Sequence, residues 1–536
     1  MIEPIEAEFA QPPIYTEEQE EVYREECVEQ SGNLDSIGLE PHGNQLNQVI
    51  SSHPTRAGTH TADSSEVEKG KGEILVECEY EENPRNWSKG KKWLATMSTS
   101  LLCLTVALGS AMPTGDLPGT AKGLHVSDEA IYLSITLFVV GFGVGPLIFA
   151  PLSELIGRKP IYCISMFFYF IFTLPSCLAK NIATMLAGRM LAGIASSAPM
   201  TNVGGTISDI WSVEERGIPM AVFSCAIFMG PCLGPLFGGW ISYKTDDGNG
   251  WRWIYWVLFI LVGLVFGLTL IMPETLGVVI LKKKASRLNK TNKTNRYITD
   301  HEKQKLKSNI TFGQTLKTAM IRPFILMFLE PIVLFMSFYL SFVYSLLYAT
   351  FFAFPIAFEE IRGWNPGMTG AAFLSIVVGI FIALFLMPIQ EKLYAGNPGK
   401  PESRLYPMML GAIFLPISLF IIAFTGAYAH VHWMGMMVGG ALFGFCMVSV
   451  YISANSYIVD SYADVAASAV AAKTLMRSLI GASVPLWITQ LFHNLGFQYA
   501  GLFLALIACC IGFIPYIFFF KGENVRNRSK RAMKTK

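Results

Sequence analysis

Charge is scarce in this chain of 536 residues: Asp, Glu, Lys and Arg together make up 15%, against 52% hydrophobic residues, and the mean hydropathy is +0.42. That leaves too little polar surface for a soluble protein of this length, so the bilayer is the solvent for most of it. The ten cysteines are scattered, several of them inside apolar runs (Cys103, Cys163, Cys446, Cys509, Cys510), with no CxxC and no paired metal spacing. They read as small packing residues, and neither a metal site nor a cofactor is expected. A nucleotide-binding P-loop, a metal motif and a nucleophile elbow are also missing, which argues against an enzyme. The amino terminus begins Met-Ile-Glu-Pro rather than with the basic, apolar and small-residue regions of a cleavable signal peptide.

What the chain has in abundance is apolar runs of roughly the 20 residues that a spanning helix needs. About twelve are predicted. Six lie near 93–113, 130–150, 161–178, 182–205, 217–240 and 253–272, and six more near 324–354, 368–388, 405–427, 433–456, 466–491 and 498–520. The expected fold is an all-α membrane protein with its helices in two six-helix bundles. Residues 1–90 form an acidic, disordered amino-terminal tail, 91–272 the first bundle, 273–323 a polar, lysine-rich linker, 324–520 the second bundle and 521–536 a basic tail. The 1–90 tail reads as solvated chain or, alternatively, as a regulatory segment modified at Ser51, Ser52, Lys69 or Lys71.

Cations set the orientation, because short cytoplasmic loops retain Lys and Arg. Arg85, Lys89, Arg158, Lys159, Arg216, the linker lysines, Lys392, Arg404 and the basic tail fall on one side; the other side carries scattered cations such as Lys122, Lys244 and Arg362. Both termini are therefore expected to be cytoplasmic. The Asn-x-Ser/Thr triplets at Asn86, Asn289, Asn292 and Asn309 lie on that same side, where glycosylation does not occur.

The turn between the second and third runs, Pro151 to Pro160, packs Glu154, Gly157, Arg158 and Lys159 together. With the neighbouring loop from Asp209 to Arg216, it suggests a charge cluster that latches one conformation and breaks in the other; the plainer reading is a surface ion pair worth little. The fifth run carries Gly230, Gly234, Pro235, Gly238 and Gly239, glycines four residues apart on one face, suited to close packing and bending. Arg189 in the fourth run is costly in lipid. It either faces the interior, pairing with a carboxylate during proton movement, or snorkels to solvent at the outer end.

Glu330 lies seven residues into an apolar run, roughly 10 Å along a helix, and is a candidate proton site; the length of that run also allows an interfacial stretch with Glu330 near the headgroups. Asp116, at the outer end of the first run, is the nearest acid to that span. Tyr339, Tyr344, Tyr348, Tyr451 and Asn455 nominate a substrate cavity in which aromatic rings hold an organic cation. Lys473 and Arg477, close to the start of the eleventh run, read as interface anchors partnered by Asp460 and Asp464 rather than as substrate ligands.

With these residues quoted, the chain resembles the major facilitator superfamily and, within it, the fungal twelve-span drug:proton antiporters. The resemblance rests on Pro151 to Pro160, on Arg189 with Gly193, and on Gly230 to Gly239. It is extended by Asn83 to Ser88, Trp251 to Trp256, Pro273-Glu274-Thr275 and Pro401 to Leu405. It implies proton-coupled export of small organic, cationic or amphipathic compounds such as polyamines or drugs. The implied setting is a fungal plasma membrane, with protons and lipid as partners, no nucleic acid, and a single chain as the working unit. Glu154 stands where the signature often has Asp. The alternatives are a proton-coupled nutrient importer on the same fold and a non-transporting membrane sensor.

Overall fold

The computed structural model describes residues 74–76, 82–212, 215, 217–245, 249–293, 296–299, 303, 312–395, 400–462, 465–529 and 532. Most of the acidic tail, together with Arg216 and Asp464, lies outside the described residues. Ten helices are long and apolar enough to cross a bilayer, and an eleventh span, Ala466–Leu486 followed by Ile488–Leu495, is bent by 47°. The remaining predicted span coincides with helix Ile182–Ile210, which is 29 residues long but less apolar, because it carries Arg189, Asp209 and a run of Ser, Thr and Gly.

The first six spans are Lys89–Leu124, Asp128–Ile156, Arg158–Cys177, Ile182–Ile210, Gly217–Lys244 and Gly250–Ile271. The second six are Pro331–Glu360, Pro366–Gln390, Pro401–Gly426, Met434–Ser461, the bent pair, and Phe497–Arg528. Many large apolar side chains remain exposed on them, among them Leu264, Phe385 and Phe520, as expected of surfaces that face lipid.

Several boundaries differ from the sequence expectation: the first span runs on to Leu124, past the predicted end at 113, and the second, fourth and tenth extend by several residues. The seventh span begins at Pro331, not at 324, because the run is two helices, Phe312–Leu329 and Pro331–Pro355, separated by Glu330 in an extended conformation (φ −105°, ψ 107°). A residue before proline is driven out of the helical region. The last helix runs on to Arg528, past the predicted end at 520.

The predicted linker contains a basic helix, Gly277–Thr291. Just beyond it, Tyr297–Ile298 pairs in parallel with Ile74–Leu75. Lys284 Nζ also reaches Glu82 at 2.7 Å, so the segment ahead of the first span is tied to the connection between the halves.

Candidate transport site

At the end of the bundle that bears the cations, the third span starts abruptly. Gly157 holds φ +117° and ψ 159°, a backbone conformation open essentially to glycine alone, and so cannot cap the helix with a side chain. Glu274, arriving from beyond the sixth span, does it instead: its carboxylate accepts from Arg158 N at 2.9 Å, Lys159 N at 3.3 Å, Thr275 N at 3.0 Å and Leu276 N at 3.1 Å. An acid at a helix amino terminus is favoured by the unpaired N–H groups and the dipole there. Arg158 then turns inward, pairing Nε with Asp209 Oδ2 at 3.3 Å and donating from Nη1 to Ser153 Oγ at 2.7 Å.

The predicted cluster of Arg158 and Asp209 is therefore assembled. Glu154 is exposed, with no ion pair among the described residues, and Lys159 contributes only its backbone N–H here. Glu274 was not foreseen as a member; its signal in the sequence was the short Pro273-Glu274-Thr275 motif.

The second half repeats the arrangement with its own residues. Arg404, at the start of the ninth span, pairs with Asp460 at 3.0 Å, and Arg526, near the end of the twelfth, pairs with Glu402 at 3.2 Å. Glu330, 5% exposed, accepts from Tyr462 Oη at 2.9 Å and Ser529 Oγ at 2.7 Å. It stands at this same end of the bundle, so the structure sets it apart from the central tyrosines on its own span.

The fifth span is one continuous helix despite Pro231 and Pro235, and its glycines serve two contacts. A methyl group on Gly230 would fall 2.3 Å from Ala107, on Gly234 2.7 Å from Ala111 and on Gly238 2.2 Å from Met112 O, all on the first span. On Gly239 it would fall 2.3 Å from Pro366 O, across the interface on the eighth span, and one on Gly370 of that span would in turn fall 2.4 Å from Pro235 O. One stripe thus closes the first half, and the adjoining face closes the two halves together at the end remote from the cations.

A water-sized cavity is lined by Ala107, Ser110, Phe142 and Pro231 from the first half and by Tyr344 and Tyr348 from the second. Nearby, Phe228 meets Tyr451 edge to face at 4.9 Å between ring centres, and Tyr344 Oη lies 3.3 Å from Tyr348 Oη. The halves also touch at the cation-bearing end, where Phe312–Leu329 and Ala466–Ser483 pack on Pro146–Ile156. This is an occluded arrangement.

Lys473 and Arg477 correct the sequence reading. They are not interface anchors: they are 1% and 3% exposed and stand among the central tyrosines. Asp460 is engaged by Arg404, whereas Lys473 donates to Asn455 Oδ1 and lies 4.6 Å from the Tyr451 ring centre. Arg477 stacks 4.4 Å from that of Tyr344. The small residues from Ala466 to Ala472 let the eleventh helix enter closely packed surroundings, and seven residues of helix carry Lys473 about 10 Å inward. Of the five residues nominated for a cavity, Tyr344, Tyr348, Tyr451 and Asn455 gather here; Tyr339 is buried apart from the cavity lining.

Arg189 is 2% exposed, which decides for the interior over snorkelling. Its Nη1 donates to Gly109 O at 2.8 Å and its Nε to Ser134 O at 3.4 Å, and its guanidinium lies 4.2 Å from the centre of the Phe138 ring. No carboxylate is within ion-pair distance of it among the described residues. Asp116 caps the short helix Leu117–Leu124 by accepting from Gly119 N at 2.9 Å.

The sequence model of the Major Facilitator Superfamily matches residues 99–485. The chain is a member of that superfamily. It is a transporter, and its relatives are named for transport rather than catalysis. It is 44% identical to the MFS-type transporter paaT of Penicillium rubens over 84% of this chain and 82% of the relative. It is 40% identical to the MFS-type efflux pump MFS2 of Trichophyton rubrum over 84% and 76%, and 38% identical to Polyamine transporter 3 of Saccharomyces cerevisiae over 83% and 71%. Among solved structures, the proton:xylose symporter XylE superposes with a TM-score of 0.60 at 16% identity, over 81% of this chain and 96% of that one. This likeness establishes the fold.

Proposed function

We propose that this superfamily member is a proton-coupled exporter of small amphipathic organic compounds, working as a single chain by alternating access in a plasma membrane, with both termini in the cytoplasm. The observation that carries the reading is the occluded centre. A water-sized cavity between two six-helix halves is shut at one end by glycine-to-backbone contacts of the fifth and eighth spans. At the other end, the ion pairs Arg158–Asp209 and Arg404–Asp460 hold helix termini in each half. Contacts of this kind are made in one state and released in the other.

The cation-rich end is cytoplasmic by the charge bias of short loops. Export is supported by the glycine-rich fifth span and by relatives that include an efflux pump and a polyamine transporter. Glu330 is the proton-carrying group in this reading: it is a buried carboxylate held by two hydroxyls, without a cation in contact among the described residues. Arg189 is the fixed interior charge of the first half.

Glu330→Gln keeps the size of the side chain and one acceptor oxygen for the Tyr462 and Ser529 hydroxyls but cannot exchange a proton. Surface delivery of this variant is expected to equal wild type, with proton-dependent efflux lost, measured as retention of labelled compounds with and without an imposed pH gradient. Normal proton-dependent efflux by Glu330→Gln overturns the assignment.

A further inference from the structure

Two cations stand in the middle of the molecule with no acid among the described residues to neutralise them. Lys473 and Arg477 lie one turn apart on the eleventh span, and among the described residues no carboxylate is within ion-pair distance of either. Lys473 has Asn455 as its hydrogen-bond acceptor. Arg477 rests on the ring of Tyr344, and its Nε and Nη1 find no hydrogen-bond partner. Tyr344 and Tyr348 line the cavity between the halves, so the ring that carries Arg477 is also the wall of the space into which a substrate must fit. Adjacent like charges in a water-poor interior repel one another and forfeit hydration, and such groups mark functional positions in membrane proteins.

We infer that Lys473 and Arg477 form the recognition point for an anionic group, and that the transported compounds are amphipathic organic anions, aromatic carboxylates foremost. Two guanidinium nitrogens without a hydrogen-bond partner, Nε and Nη1, offer charge-assisted hydrogen bonds to a carboxylate. Tyr344, Tyr348, Tyr451 and Phe228 supply ring surface for the apolar body of such a ligand. A polyamine would bring further positive charge to this point, where one face each of Tyr344 and Tyr451 already carries the protein's own cations. This inference rests on the exporter reading and narrows its substrate class.

The test pairs an aromatic anion with a cation of like size. Purified wild-type protein is titrated with benzoate and with benzylamine while its thermal unfolding is followed. Retention of both labelled compounds is then measured in fungal cells with and without the chain. Benzoate is expected to stabilise the protein and to be retained less when the chain is present, benzylamine to do neither. Arg477→Met is expected to weaken benzoate binding at least tenfold and Arg477→Lys to recover part of it.

Stabilisation by benzylamine and not by benzoate overturns the inference and leaves export standing; so does undiminished benzoate binding by Arg477→Met. Proton-driven export of other compounds, with benzoate neither bound nor moved, overturns it as well. Benzoate binding without proton-driven export of any compound supports the anion site while overturning the exporter reading. The comparison of the two probes on the wild type stands even if a variant fails to reach the membrane.

Discussion

Arg189 shows what it takes to keep a cation inside an apolar bundle. Its guanidinium ties its own helix to two others, donating to the carbonyls of Gly109 on the first span and Ser134 on the second while lying on Phe138, so among the described residues its charge is spread over dipoles and a ring face and not matched by an acid. Hydrogen bonds from a charged donor contribute about 1.5–3 kcal/mol each. Arg189→Met is therefore expected to lower the unfolding temperature of the detergent-purified protein by several degrees, with Arg189→Lys intermediate, because an ammonium lacks the planar reach to both carbonyls.

The cost of the residue was legible in the sequence, and its partners were not: two backbone carbonyls leave no trace in composition or spacing. Lys473 and Arg477 were misplaced for a related reason. Seven small residues precede Lys473, and counting from the start of a helix does not reveal how deep in the bilayer that start lies.

At the scale of elements, the decisive features are helix ends and glycine faces. The third span depends on a cap from outside its own sequence, Glu274 reaching the N–H groups that follow Gly157. A methyl group on Gly157 would meet Glu274 Oε2 at 2.5 Å in a glycine-only conformation, and such strain costs about 1–3 kcal/mol. Gly157→Ala should reduce transport more than Glu274→Gln, which keeps one acceptor oxygen for Arg158 N, Thr275 N and Leu276 N, gives up the longer bond from Lys159 N and loses the charge at the helix terminus, about 0.3–1 kcal/mol. Initial rates of efflux, normalised to surface protein, check the order.

A methyl group on Gly239 would have its nearest contacts on the other half, at Pro366 and Gly367, so Gly239→Ala should leave each half intact and push the fifth and eighth spans apart. A longer distance between spin labels at Lys244 and Met368, on a background with the native cysteines replaced, is the expected result. The glycine spacing announced close packing; that Gly230, Gly234 and Gly238 face the first span while Gly239 faces the eighth depends on helix rotation, which glycine periodicity alone does not fix.

For the whole molecule, the plan of two six-helix halves was readable because lipid requires long, uninterrupted apolar helices. The irregular parts were harder. The seventh run concealed a break at Glu330-Pro331, since the helix before it is also apolar and hydropathy does not register a change of direction. The paired short strands at Ile74–Leu75 and Tyr297–Ile298 join segments more than two hundred residues apart, a contact that no local pattern signals.

The two halves also carry matching ion pairs, Arg158–Asp209 between the third and fourth spans and Arg404–Asp460 between the ninth and tenth. The correspondence puts a matching ion pair at the same end of each half.

The central claim is outward, proton-driven transport. The measurement that tests it most directly is retention of a labelled panel, comprising spermidine, an azole and an aromatic carboxylate, in fungal cells with and without the chain, before and after a protonophore. The account predicts that cells lacking the chain retain more of at least one compound, and that the protonophore raises retention in cells that have the chain to the same level. Lower uptake in cells lacking the chain, or a difference that survives the protonophore, would contradict it.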